Sequence, residues 1–274
     1  MNRGPARAKG GGRLAGVDLG GTWVRVSVAG APPRAFKGPT PGPARLPELL
    51  ERLWRRWRLA RRDLATLGVA SRGVWTRAER RALARRLRRL APRVVVISDV
   101  EAAYLAALGT NPGVLLLAGT GSIALGRDRR GRWHRAGGLG PLLGDDGSAF
   151  SVGRAWLRSS SIPPTRARQF ATAPDAVARI ATLAPSVLRR ARRGDRVAQR
   201  IVREAQHALA DLVETATKRA RQGQSIQVSW AGGLLSNQAF REGIWRELRR
   251  RQVQITPVRP RATAATPSAW LRSL

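Results

Sequence analysis

The sequence predicts an α/β fold laid down twice along one chain. Three observations carry that expectation. A succession of strand, strand, short third strand, helix, strand, helix, strand and helix runs through residue 109, and from residue 110 the same order begins again. A glycine–threonine turn between two strands stands at the same point in each half, as Asp18-Leu19-Gly20-Gly21-Thr22 and as Ala118-Gly119-Thr120-Gly121-Ser122. The 274 residues, 43% of them apolar, are enough for two lobes that each bury a core. What recurs is the order of elements and not the residues themselves.

In the first half, residues 14–18 and 23–29 read as strands around the first turn, and alternation puts Val24, Val26 and Val28 on one face. Gly38-Pro39-Thr40-Pro41-Gly42-Pro43 predicts a loop. Residues 48–62 carry Leu49, Leu50, Leu53, Trp54 and Trp57 at helical spacing. A basic amphipathic helix with tryptophans can lie on a membrane, but such a stripe more often packs on a sheet. Residues 65–70 are a buried strand, 78–90 a second basic helix, and 93–98 a buried strand that ends at Asp99. A helix over 99–108 follows, with Asp99 at its mouth near the free N–H groups and Gly109 to close it.

In the second half, residues 113–118 and 122–127 form a hairpin and 131–136 a third strand. Helices are expected over 148–159 and from 175 to 221 with a break near Gly194. Residues 226–230 are a strand, 237–250 a helix, 253–256 a short strand and 264–274 a last helix. The resulting division is a basic, disordered tail over 1–12, a lobe over 13–109, and a lobe over 110–274 with a helical insertion. The last helix is free to return to the first lobe.

The balance of 51 basic against 17 acidic residues leaves a net charge of +34, and only Lys9, Lys37 and Lys218 are lysines. A nucleic-acid site calls for a localised basic patch with aromatic or donor residues between. Here arginine is spread along nearly every expected helix, which a GC-rich genome explains more simply. No specific nucleic-acid partner is expected, only non-specific polyanion binding at low salt and attraction of anionic substrates. The chain has no cysteine, which excludes disulfides, thiol nucleophiles, zinc–thiolate sites and iron–sulfur clusters and fits a cytoplasmic location. No apolar run approaches a membrane span, so no membrane partner is expected. The tail over 1–12 is followed by no apolar signal core.

The run Val114-Leu115-Leu116-Leu117-Ala118 enters Gly119-Thr120-Gly121-Ser122 and leaves through Ile123-Ala124-Leu125-Gly126. Glycines permit positive φ and remove Cβ atoms, so successive N–H groups can face one anion. Thr120 and Ser122 add hydroxyl donors. Such a turn is either a phosphate cradle or an ordinary hairpin, and its counterpart at Asp18-Leu19-Gly20-Gly21-Thr22 favours the cradle. Neither is a Walker A loop, because no Gly-Lys-Ser/Thr follows and the next element is a strand. A third cluster, Trp230-Ala231-Gly232-Gly233-Leu234-Leu235, lies between a strand and a helix capped by Ser236 or Asn237. It is a routine turn or a place where backbone approaches a flat ligand such as adenosine. Asp145 and Asp146 form a polar turn or a ligand contact, the latter favoured by the scarcity of acids.

Taken together, the Asp-x-Gly-Gly-Thr hairpin, Asp99 at a strand end, Gly-Thr-Gly-Ser and Ala-Gly-Gly resemble the actin-like ATPase and sugar kinase superfamily. Gly137-Gly138-Leu139-Gly140-Pro141-Leu142-Leu143-Gly144-Asp145-Asp146-Gly147-Ser148 narrows the likeness. It is similar to the Gly-Gly-Trp-Gly…Gly-Asp-Glu-Gly-Ser segment of the N-acetylglucosamine kinase and BadF/BadG/BcrA/BcrD ATPase family. The resemblance implies two ribonuclease-H-like lobes with ATP and Mg²⁺ in a nucleotide cleft between them. It implies that Gly20, Gly21 and Thr22, with Gly119, Thr120, Gly121 and Ser122, hold the phosphates, and that Gly232 and Gly233 face the adenosine. Asp18 acts on Mg²⁺ through water, Asp99 is the general base for a sugar hydroxyl, and Gly138, Leu139, Gly140 and Asp145 meet the sugar. A homodimer is also implied. Phosphoryl transfer suits these residue types, because it asks for positioning and charge compensation more than for covalent help.

The implied activity is ATP-dependent phosphorylation of N-acetylglucosamine, glucosamine or a related hexose. The alternative is a non-catalytic nucleotide- or sugar-sensing member of the fold. Leu139 stands where the family has tryptophan, Asp146 where it has glutamate, and the loop over 38–43 lacks an asparagine. All three departures fall on the sugar side. The family's other branch, which activates acyl-CoA enzymes through a cysteine-bound cluster, is excluded by the absence of cysteine.

Overall fold

A computed structural model of the chain describes residues 12–20, 23–30, 32–159, 162–220, 225–263, 267–271 and 273. The expected tail lies outside them except for Gly12, as do Gly21 and Thr22. The described chain divides into two compact units, one from Met1–Gly109 with Arg261–Leu274 and one from Thr110–Pro260. Each unit holds one mixed five-stranded sheet with helices. Among the described residues no helix is long and apolar enough to cross a membrane.

In the first unit β1 (Arg13–Leu19), β2 (Trp23–Val28) and β3 (Arg34–Pro39) form an antiparallel meander. β4 (Leu64–Ser71) and β5 (Arg93–Ser98) continue the sheet parallel to β1, in the order β3-β2-β1-β4-β5. β1 and β4 are central and covered, so they read as near-continuous apolar runs; β2 shows the alternation of a half-buried strand. Gly38 and Pro39, expected in a loop, are the end of β3 and pair with Val24 and Trp23. An edge strand tolerates a proline because its outward N–H is not needed for a ladder.

The first helix, α1 (Gly42–Trp57), begins six residues before the expected start at 48 and ends before the expected 62. Pro43 sits in its first turn, where a preset φ and a missing N–H cost nothing. Arg58 adopts left-handed φ (52°); its N–H returns to the Arg55 carbonyl at 3.1 Å, and the Leu59 N–H to the Trp54 carbonyl at 2.9 Å. Leu46, Leu49, Leu50, Leu53 and Trp54 make the buried face, and the Trp54 indole donates to the Leu90 carbonyl at 3.1 Å. The tryptophan stripe therefore packs inside the unit. α2 (Arg77–Leu87) and α3 (Asp99–Leu108) follow β4 and β5. α10 (Pro267–Leu271), the described part of the expected last helix, packs on β1: a Cβ at Gly16 would meet Pro267 and Leu271 at 2.4 and 2.5 Å.

The second unit repeats the plan. β6 (Gly113–Ala118), β7 (Ser122–Arg127) and β8 (Trp133–Gly137) form the meander. β9 (Ile226–Ala231) and β10 (Ile255–Pro257) extend it parallel to β6, in the order β10-β9-β6-β7-β8. The repeated element order is thus a repeated topology. Between β8 and β9 lie α4 (Ala149–Leu157), α5 (Pro164–Ala171), α6 (Ala176–Ala181), α7 (Ala184–Arg192) and α8 (Arg196–Ala220), and α9 (Gln238–Arg250) follows β9. α5 was not expected from the sequence, because its face buries no residue and leaves no apolar stripe to read. The long α8 carries Ile201, Ala205, Leu209, Val213 and Ala216 into the core beside Leu116, Val228 and Ile244.

Candidate functional site

In the first unit the candidate residues gather at the carboxyl ends of β1, β4 and β5, where open α/β sheets place ligands. Leu19 pairs with Ser71 and Ser71 with Ser98, so Asp18, Arg72 and Asp99 stand at neighbouring strand ends. Asp18 is buried, and Arg25, its cross-strand partner on β2, donates Nη1 to Asp18 Oδ2 at 3.0 Å. Burial raises the Asp18 carboxyl above the usual range, Arg25 opposes the rise, and the charge of Asp99 adds to it. Gly20 closes the β1–β2 hairpin through its N–H to the Trp23 carbonyl at 3.0 Å.

Asp99 is not the cap of its helix. Ser98 is: its hydroxyl accepts from the Glu101 N–H at 3.1 Å, and Glu101 Oε2 accepts from the Ser98 N–H at 2.8 Å. Arg80 on α2 donates to the other Glu101 oxygen at 3.0 Å. With the cap made by its neighbour, the half-buried Asp99 carboxylate accepts from the adjacent Val100 N–H at 2.9 Å. Burial lifts its pKa, the Val100 N–H and Arg72 oppose, and the Glu101 charge lifts it further. Sequence reasoning missed Glu101, although Ser-x-x-Glu ahead of an apolar run is the capping-box pattern. Glu101→Ala is expected to lower stability by about 2–3 kcal/mol, because the Ser98 N–H and Arg80 both lose a buried acceptor. Urea unfolding reads this, and Glu101→Gln should recover part of the loss.

Among the described residues no three His, Asp or Glu side chains converge on a metal cage. Asp18, buried, and Asp99, half-buried, nevertheless stand at the carboxyl ends of strands of one sheet. That fits Mg²⁺, which binds through one or two carboxylates and completes its shell with water and phosphate.

In the second unit the β6–β7 ladder ends at the pair Ala118 and Ser122, and the Gly119 N–H returns to the Gly121 carbonyl at 2.9 Å. Among the described residues, no hydrogen bond is made by the Thr120 or Gly121 amide or by the Thr120 hydroxyl, and Thr120 is exposed. A Cβ at Gly119 would meet nothing within 4 Å. The turn thus offers free donors beside open space. Its glycines act by absent Cβ atoms and not by positive φ, since neither Gly119 nor Gly121 has one. Ser122, expected to offer a hydroxyl to a ligand, is buried and occupied. Its hydroxyl donates to the Asp146 carbonyl at 2.7 Å and its N–H to Asp145 Oδ1 at 3.1 Å.

The segment from Gly137 to Ser148 runs from β8 across this turn into α4. Gly137, Gly138, Gly140 and Gly147 have positive φ, as does Asp145 at 61°. The Gly138 N–H donates to the Ser122 carbonyl at 3.0 Å, and the Ala149 N–H at the start of α4 donates to the Gly119 carbonyl at 2.8 Å. Leu139 is exposed, with Leu142 and Leu143 beside it. Asp145, expected at a sugar, has one carboxylate oxygen on the 119–122 turn. Gly232 and Gly233 end β9 in different states. Gly232 has φ 98°, and a Cβ there would lie 2.3 Å from the Ala118 carbonyl oxygen; Gly233 has ordinary φ and nothing within 4 Å. Asn237, not Ser236, caps α9 by accepting from Phe240 N–H at 3.0 Å.

Residues 15–266 match the model of the BadF/BadG/BcrA/BcrD ATPase family. Among curated proteins, an N-acetylmuramic acid/N-acetylglucosamine kinase of Clostridium acetobutylicum is 38% identical over 22% of this chain and 20% of its own length. An N-acetyl-D-glucosamine kinase of Dictyostelium discoideum is 30% identical over 39% of this chain and 41% of its own. The chain thus aligns with less than half of either curated relative. Among solved structures, a protein from Chromobacterium violaceum provisionally described as an N-acetylglucosamine kinase superposes with a TM-score of 0.70. It is 26% identical, and the superposition covers 94% of this chain and 98% of that one.

Proposed function

The chain belongs to the BadF/BadG/BcrA/BcrD ATPase family, and on that premise we propose that it transfers the terminal phosphoryl group of ATP to a hydroxyl of a hexose or amino sugar. N-acetylglucosamine and glucosamine are the foremost acceptors, the first of them being named in the activities of two kinases that the chain resembles. The observation that carries the reading is the 119–122 turn, whose Thr120 and Gly121 amides are unbonded among the described residues and which has open space beside Gly119.

In this reading the Thr120 and Gly121 amides and the Thr120 hydroxyl hold phosphate oxygens, joined by Gly20, Gly21 and Thr22. Mg²⁺, when bound, would offset charge on the phosphate oxygens, and Asp18 would hold it through water. Asp99 accepts the proton of the sugar hydroxyl as that oxygen approaches the γ-phosphorus. Its place at the mouth of α3, outside the cap, and its raised basicity suit that task. Asp145 keeps Oδ2 for a sugar hydroxyl, with Gly138, Leu139 and Gly140 beside it. Gly232 and Gly233 lie toward the adenosine.

Purified protein incubated with ATP, Mg²⁺ and a panel of amino sugars and hexoses tests the proposal. Sugar-dependent ADP release with at least one of them is expected. ATP binding without turnover on any sugar would favour the non-catalytic alternative instead. The pH profile carries a further expectation. A general base works ionised, so kcat/KM should fall on the acid side with a midpoint above the ordinary aspartate value of 3.8. Arg72 holds that value down, so Arg72→Ala should move the acid limb to higher pH.

A further inference from the structure

The carboxylate of Asp145 is built into the 119–122 turn. Its Oδ1 accepts the Ser122 N–H at 3.1 Å across 23 residues of sequence. Gly121 leaves room for it, since a Cβ there would lie 2.9–3.0 Å from the carboxylate atoms. Its backbone sits at φ 61°, a region that residues other than glycine, asparagine and aspartate rarely adopt and that persists only where the surroundings over-determine it. Among the described residues, the remaining ties on the turn come from backbone groups or from Ser122 itself: Gly138 N–H to Ser122 C=O, Ala149 N–H to Gly119 C=O, and the Ser122 hydroxyl to Asp146 C=O. Asp145 is the one charged side chain among them.

From this geometry, and resting on the nucleotide reading above, we infer that Asp145 is a positioning residue of the phosphate-binding turn as well as a neighbour of the acceptor. A charge-assisted bond to the Ser122 N–H is stronger than a neutral one, and it fixes the end of the turn from which the Thr120 and Gly121 amides project. Binding to a preformed turn costs less ordering than binding to a loose one. A residue that served only the sugar would leave nucleotide affinity untouched when no sugar is present.

The test is ADP affinity of the full chain without sugar, measured by calorimetry with Mg²⁺ present. Asp145→Gly removes the carboxylate while relieving the positive φ, so it guards the fold. Asp145→Asn keeps an acceptor oxygen and a residue suited to that backbone. The expected result is roughly tenfold weaker ADP binding for Asp145→Gly, with Asp145→Asn between it and wild type and both variants unfolding within a few degrees of wild type. Wild-type ADP affinity in Asp145→Gly overturns the inference and leaves the kinase reading standing. Failure of the wild-type chain to bind ADP at all overturns both.

Discussion

Asp99→Asn should lower sugar-dependent turnover by about 10²–10⁴-fold, the usual contribution of a positioned general base, while ADP affinity stays within about twofold of wild type. Two features make the separation sharp. The cap of α3 is made by Ser98 and Glu101, so the substitution does not expose the helix end. The contact from Val100 N–H to the side-chain oxygen can persist with an amide. Stability should move the opposite way to activity. The folded state disfavours the ionised carboxyl, through burial and the charge of Glu101, so a neutral amide should leave the unfolding midpoint unchanged or slightly higher near neutral pH. Initial rates with the best panel sugar, paired with thermal unfolding, read both. Turnover within threefold of wild type would mean that another group takes the proton.

The second large effect is expected at Gly232. Gly232→Ala forces a side chain into positive φ and sets a Cβ 2.3 Å from the Ala118 carbonyl oxygen and 3.0 Å from the Gly119 nitrogen. Left-handed backbone and a clash against backbone together should cost roughly 2–4 kcal/mol. The atoms that must shift open the 119–122 turn, so ADP affinity should fall with stability. Gly233→Ala is the control. It has ordinary φ, open space and an exposed position, so it should be neutral or slightly stabilising through the unfolded chain. Denaturant midpoints and ADP affinity for the pair discriminate two roles. Equal stability with ADP affinity lost in both would mean that both glycines serve a ligand directly and that packing at Gly232 matters little.

Much of the fold was legible. β5 and α3 fall on the expected residues, because four β-branched residues in a row and an alanine-rich segment closed by a glycine are local signals. Legibility failed where the deciding partner was distant or a signal was ambiguous. Gly38 and Pro39 look like loop residues until β2 is laid beside them. α5 fully buries no residue, and its half-buried Ala167 and Phe170 are too few to make a stripe. In the candidate site, Asp99 looked like a cap because a carboxylate at a helix mouth usually is one; Ser98, one residue earlier, reaches the Glu101 N–H instead. Ser122 looked like a ligand donor until the Asp146 carbonyl was found on its hydroxyl.

The sequence alone determined the alternation of strands and helices, the repeated order and the two glycine turns. These depend on backbone preference and on periodicities of two and 3.6 residues, which are written within a few positions of one another. Only the tertiary structure decided which polar groups stay free. Arg25 lies on Asp18 because of the β1–β2 register, Arg80 on Glu101 across 21 residues, and Asp145 on Ser122 across 23. A hydrogen bond forms where packing brings donor and acceptor within about 3 Å, and that coincidence leaves no mark on local pattern. The same glycine-rich turn can be a plain hairpin or a seat for an anion. What separates the two here is which of its N–H groups the rest of the second unit has already taken.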